Sequence, residues 1–290
     1  MAREVSWFPP GGDPLILTDR AAGYRVTKGV RGHGAAPVDI SVDSPPEVDG
    51  GIVTDVWAPP RTVQIPLLVL ADDTVQYRQR IGALLDAMSH GQECQLQIAQ
   101  PDGSRRRIRA YYQSGLEGLE DRDTGGETWY RCVLTLFCPD PWWFDPTPVS
   151  VMFRYQASAP SWFPLFPLNL GASAVLGVGS IINPGQVLSW PEWTITPPGN
   201  TLNLTNVDTG EALTLNATAI PGGDTLRIIT EPTKASIALG SGTDWWDKIT
   251  GIPHLWSLRR GANNVNLSLA GAGVGSSIGC TFTARYRSAW

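Results

Sequence analysis

The stretch Phe137-Cys138-Pro139-Asp140-Pro141-Trp142-Trp143-Phe144-Asp145-Pro146-Thr147-Pro148 divides this sequence into halves of different character. An apolar run ends at Cys138, and prolines follow at 139, 141, 146 and 148. Each proline fixes its own φ, lacks an N–H donor and biases the residue before it away from the helix. The segment should therefore extend neither a helix nor a ladder, and should leave one domain as a stiff hinge. Trp142, Trp143 and Phe144 in a row would make an unusual exposed apolar patch, so packing is expected to pin the hinge. Outward from it, residues 1–148 read as a domain with a helix and residues 149–290 as an all-β domain.

Immediately upstream, Trp129–Cys138 is apolar at both parities: Tyr130, Cys132, Leu134 and Leu136 against Trp129, Val133 and Phe137. That pattern marks a strand that is central or faces an interface. With Ile108, Ala110 and Tyr112 it forms a long hairpin over about residues 105–138, from which the polar stretch 117–127 should project as a loop. Arg105-Arg106-Arg107 and Arg109 read as the solvated start of a strand. Cys94, Leu96 and Ile98 alternate in the strand before the turn Pro101-Asp102-Gly103-Ser104.

A helix is expected over about residues 74–90. Asp73 with Gln76 matches a capping box, Tyr77, Ile81, Leu84, Leu85 and Met88 share one face, and Gly91 stands where a C-cap glycine belongs. Before the helix, 62–70 is a strong strand in which Pro66 suggests an edge position or a bulge. Residues 1–60 are loop-rich, with short strands near 15–17, 24–26 and 38–42. Gly29, Gly32 and Gly34 lead into Pro37 and a strand, so they form a flexible turn and not a phosphate loop, which needs a following helix.

Downstream of the hinge, 149–155 reads as a strand. Residues 157–180 include the apolar, proline-studded Trp162-Phe163-Pro164-Leu165-Phe166-Pro167-Leu168, expected as an ordered loop over apolar surface. Leu202 and Leu204 pair with Leu213 and Leu215 around Asp208-Thr209-Gly210-Glu211. Leu226 and Ile228 pair with Ala235, Ile237 and Leu239. Val265, Leu267 and Leu269 form one more strand, and Ile278, Cys280, Phe282, Ala284 and Tyr286 alternate towards the end. Short strands at even spacing with Gly and Pro turns indicate a β-sandwich.

The 290 residues carry a net charge of −5, without the basic footprint of a nucleic-acid binder, so nucleic-acid recognition is not expected. Cys94, Cys132, Cys138 and Cys280 lack metal-ligand spacing. Cys132 and Cys138 on one strand lie about 20 Å apart and cannot bridge, so buried free thiols are expected. No apolar leader and no run near the ~20 residues of a membrane span is present, which predicts a chain made in the cytoplasm without a membrane span. His33, His90 and His254 fall in no catalytic or metal motif. Trp245-Trp246 between Asp244 and Asp247, together with Trp256, is the most site-like cluster. These indoles are candidates for glycan stacking, or for a core below a solvated turn. No catalytic residue, metal or cofactor is expected, and the chain reads as a non-enzyme.

The same residues resemble a known family, the distal tail proteins of long-tailed bacteriophages, also called minor tail proteins. The first half carries the resemblance in Asp49-Gly50, Arg61-Thr62-Val63-Gln64-Ile65-Pro66-Leu67-Leu68-Val69, the amphipathic helix, and the long hairpin ending in Asp140-Pro141-Trp142-Trp143. The second half carries it in Asn183-Pro184-Gly185, Trp190-Pro191-Glu192-Trp193-Thr194-Ile195 and Asp208-Thr209-Gly210. Leu255-Trp256-Ser257-Leu258, Gly261-Ala262-Asn263-Asn264-Val265 and Ala284-Arg285-Tyr286-Arg287 complete it. The resemblance implies a mainly β protein: an N-terminal β-rich α+β ring-forming domain with one helix, followed by a C-terminal galectin-like β-sandwich. It implies a homo-oligomer, a hexameric ring, at the virion tail tip after assembly in the host cytoplasm. The ring would join the tail tube protein to tail tip, hub or fibre proteins. The alternative is a carbohydrate-binding sandwich that attaches to host cell-wall glycan through Trp245, Trp246 or Trp256.

Overall fold

A computed structural model describes residues 3–44, 46, 49–88, 91–118, 125–155, 174–216 and 219–290. They form two compact units, Met1–Pro146 with Tyr286–Trp290, and Thr147–Arg285. The last residues of the chain thus belong with the first unit. The protein is mainly β, as expected, with the α-helix Thr74–Ala87.

In the first unit the main sheet runs in the order Leu15–Ile16, Glu4–Phe8, Cys94–Ala99, Arg105–Ser114, Trp129–Cys138, Arg61–Leu70, Tyr24–Val26. Alternation decides what this sheet buries. Cys94, Leu96 and Ile98, then Tyr130, Cys132, Leu134, Leu136 and Cys138, then Val63, Ile65, Leu67 and Val69 all enter one core. The helix closes that core with Leu84 and Met88 and is tied to the sheet by two side chains. Trp7 Nε1 donates to the Ala87 carbonyl at 2.8 Å, and the Tyr24 hydroxyl donates to the Arg80 carbonyl at 2.7 Å. Asp73 caps the helix as expected, its Oδ1 accepting from the Gln76 amide at 2.7 Å, but Gln76 Oε1 accepts from the Asp72 amide at 2.8 Å and not from that of Asp73, and the C-cap is Met88, ahead of Gly91.

Leu85 is exposed, so the buried stripe is narrower than its period suggests. Pro66 sits neither on an edge nor at a bulge: its strand has neighbours on both sides. Gln64 exchanges amide bonds with Arg31, and the Pro66 carbonyl accepts from Thr27, so this parity faces the short outer ladder. The missing N–H falls where that ladder stops, and the long pairing with Trp129–Cys138 is untouched. Nor is the hinge barred from pairing. Trp143–Phe144 forms a short strand, with Phe144 opposite Arg107, because the prolines leave 142–145 free to donate. Trp143 is fully buried, which is the aromatic pinning expected. Arg106 and Arg107 are not solvated. Arg106 pairs with Asp145 at 3.1 Å and lies 3.6 Å from the Tyr286 ring centre, and Arg107 bonds Gln97 and Gln95 at 2.9 and 3.1 Å.

The second unit is a β-sandwich. One sheet orders Val149–Arg154, Ser277–Phe282, Glu192–Thr196, Leu226–Ile229, Ser236–Leu239; the other orders Ala174–Asn183, Gly261–Ala270, Thr201–Asn206, Ala212–Asn216. Trp193, Ile195, Leu226, Ile228, Ile278 and Cys280 from the first meet Leu202, Leu204, Leu213, Leu215, Val265, Leu267 and Leu269 from the second in one core. Residues 174–180, expected as loop, are strand paired along Gly261–Ala270. The final alternating run is also broken: its strand ends at Phe282, and Tyr286 packs in the first unit's core. His90, the loop core 119–124 and the proline-studded 157–173 lie outside the described residues.

Buried polar groups explain the odd-looking turn motifs. Asn183 donates to the carbonyls of Leu258 and Val187 at 3.0 and 3.1 Å and accepts from the Gly185 amide at 2.8 Å. A Cβ on Gly185 would stand 2.6 Å from the Arg285 carbonyl oxygen, so the position admits only glycine. Asn263 similarly closes the turn before its strand, bonding the Arg259 amide and carbonyl at 2.8 Å each. Unpaired, such buried amides would each cost about 1–3 kcal/mol.

Candidate assembly surfaces

Among the described residues no group of His, Cys, Asp and Glu could hold a metal ion. His33 lies edge-on to Trp290, ring centres 4.5 Å apart, and burial, then the Arg3 charge, holds its pKa below the ordinary histidine value. Cys94, Cys132, Cys138 and Cys280 are free and buried, as expected. Burial pushes the Cys132, Cys138 and Cys280 thiols up to about 12, far from nucleophilic use. Among the described residues no helix is long and apolar enough to cross a membrane.

The three candidate stacking indoles have different fates. Trp256 is 3% exposed, donates through Nε1 to the Leu204 carbonyl at 3.1 Å and packs edge-on to Trp193, ring centres 5.3 Å apart. Trp245 is 7% exposed and belongs to the same core. Rings enclosed in this way present no stacking face to a sugar. Trp246 is 38% exposed at the start of the short turn Trp246–Lys248. Its carboxylate neighbours are engaged locally: Asp244 accepts from the Trp246 amide at 2.8 Å, and Asp247 pairs with Lys248 at 2.6 Å. These contacts build a turn and leave no pair of carboxylates converging on one point.

What the structure does present is unsatisfied surface on the first unit. Asp39–Asp43 and Ile52–Trp57 pair into a separate two-stranded ribbon. One face carries Ile40, Val42, Val53 and Val56, each more than half exposed. The other pairs Asp39 with Trp57, Ser41 with Asp55, and Asp43 with Ile52. A lone ribbon of this length is marginal in water, and an aliphatic face open to solvent adds nothing to its stability. The first strand is legible in the sequence and the second is not, because Ile52-Val53-Thr54-Asp55-Val56-Trp57 mixes parities around a bulge.

A second surface lies on the outward side of the main sheet. Val133 and Phe137, 45% and 39% exposed, stand there beside Trp129, Pro66 and Leu68. Trp129–Cys138 is therefore buried on one face only, and its other apolar parity is open. Arg25 and Arg131 flank Leu68 on adjacent strands, and Arg31 sits opposite Gln64. This face is apolar with cations set between the apolar side chains.

No protein-family model matches the chain, and no curated protein matches its sequence. Solved structures do match. The SPP1 Dit protein, described as a paradigm of the hub adsorption apparatus in Gram-positive-infecting phages, superposes with a TM-score of 0.68 over 98% of this chain and 99% of its own, at 16% identity. The chain has the fold of that phage hub protein. A chain of the phage P2 baseplate in its activated conformation with Ca is similar with a TM-score of 0.51 at 10% identity, covering 98% of each. The match spans both units in both directions, so it concerns the whole architecture and not a shared sandwich alone.

Proposed function

We propose that the chain is a structural virion protein, the distal tail hub of a long-tailed bacteriophage, and that it works as a ring. The ring, a hexamer, joins the tail tube to the tail tip and receptor-binding parts. The observation that carries this reading is the end-to-end likeness to the SPP1 hub, over 98% of this chain and 99% of that protein. The open apolar surfaces of the first unit support it, since a hub must bury surface against copies of itself and against rings above and below. The reading assigns no catalysis to the chain. A host cell-wall glycan, if it is touched at all by the indoles singled out from sequence, meets Trp246 alone. Labelling virions of the encoding phage with an antibody to this chain tests the placement. The label is expected at the tail tip; label along the tube or on the head contradicts the proposal.

A further inference from the structure

The ribbon and the outward sheet face complement each other in charge and spacing. On its mixed face the ribbon carries Asp39, Asp43 and Asp55 beside Trp57 and Ile52. The sheet face carries Arg25, Arg31 and Arg131 around Leu68, Pro66 and Val133. All six charged residues are exposed, and none joins the ion pairs formed among the described residues. The spacing agrees as well. Asp39 and Asp43 are four residues apart on one strand, and so are Leu68 and Gln64, which stand beside Arg25 and Arg31. Four strand residues span about 13 Å, so two carboxylates can meet two guanidinium groups in one register. Trp57 and Ile52 stand opposite Asp39 and Asp43 on the ribbon's other strand, and Pro66, with Val133 opposite it, lies between Leu68 and Gln64.

We infer that the acidic face of the ribbon docks on the cationic outward sheet face of a second copy of this chain. This rests on the proposed ring and names the contact that builds it. The patches are different, so the contact is head-to-tail; repeated, it closes into a ring when the rotation allows. Opposite charges set the register, and the apolar residues beside them exclude water, which strengthens each pair.

Charge exchange in the full-length chain tests this. Asp39→Arg with Asp43→Arg, and separately Arg25→Glu with Arg31→Glu, are each expected to raise the concentration needed for assembly roughly a hundredfold, because like charges then face each other. All four residues are exposed, so the folded fraction should stay as in wild type by circular dichroism. Combining all four changes in one chain restores opposite charges and is expected to recover assembly. Mixing the two double variants should also recover it, in alternating rings. Rings formed equally well by wild type and both double variants overturn this contact and leave the hub reading standing. Failure of the fourfold exchange to recover assembly overturns it too. A wild-type chain that never associates removes the ring and this contact together.

Discussion

Arg61 Nη2 donates to the Arg287 carbonyl at 3.2 Å, across 226 positions of sequence. Its other terminal nitrogen donates to the carbonyls of Gly32 and Gly34 at 3.0 and 2.8 Å. One buried guanidinium, 3% exposed, therefore ties the 32–34 turn and the C-terminal residues to the end of the central strand. Burial lowers its pKa, with Cys138 and Asp140 opposing, but a guanidinium stays charged throughout the accessible range. Arg61→Met should cost about 3 kcal/mol, since three carbonyls lose a buried charged donor. Urea titration reads the loss, and an unchanged midpoint would refute it.

Gly32 makes the same point sterically. Its φ is +79°, and a Cβ there would sit 2.1 Å from the Thr62 carbonyl oxygen, which is backbone and cannot yield. Gly32→Ala should destabilise the first unit by about 2 kcal/mol or more, from left-handed strain plus the clash. In a turn whose glycines resemble a phosphate loop in spacing, Gly32 is required by its close packing over the strand. A thermal melt of the variant with a wild-type Tm would contradict that.

The tryptophans separate core from surface. Trp256→Ala should cost about 3–5 kcal/mol, as for large buried aromatics, and Trp246→Ala under about 1 kcal/mol. From sequence, stability loss would be expected at Trp246; the structure moves it to Trp245 and Trp256. Denaturant titrations of both variants, with cell-wall pull-down of Trp246→Ala, decide the roles. Lost cell-wall binding at unchanged stability would make Trp246 a glycan contact.

Alkaline pH probes the thiols. Cys132, Cys138 and Cys280 are pushed from 9.0 up to about 12 by burial, so the folded state holds protons that the unfolded state releases first. Their contribution is fully present below pH 9.0 and is lost as pH rises towards about 12. Stability measured against pH should fall across that window, and changing the three to alanine should flatten the fall. A native chain should also resist thiol alkylation until unfolded; rapid labelling of the folded protein would contradict this burial.

Much of the fold follows from periodicity. The helix, its Asp73 cap and the strands carrying Leu96, Leu134, Leu204 and Leu267 all rest on local pattern. What escaped depended on partners far along the chain. Pro66 is harmless only because its ladder stops there, Tyr286 belongs to the first core only because the chain returns, and Arg106 is held by Asp145 and Tyr286. The open sheet face is half legible: the double apolar parity of Trp129–Cys138 marks a strand that is central or faces an interface, and Val133 and Phe137 stay exposed. The ribbon's second strand was hidden by its bulge. For Trp245 and Trp256 the sequence leaves stacking face and core both open, because composition cannot tell a buried indole from an exposed one; both are core.

The most direct measurement is the mass of the purified full-length chain in solution, with negative-stain images of the same sample. The hub account predicts a closed ring of six copies with a central opening. A chain that remains monomeric at every concentration tested, or forms a two-fold dimer without an opening, would contradict it.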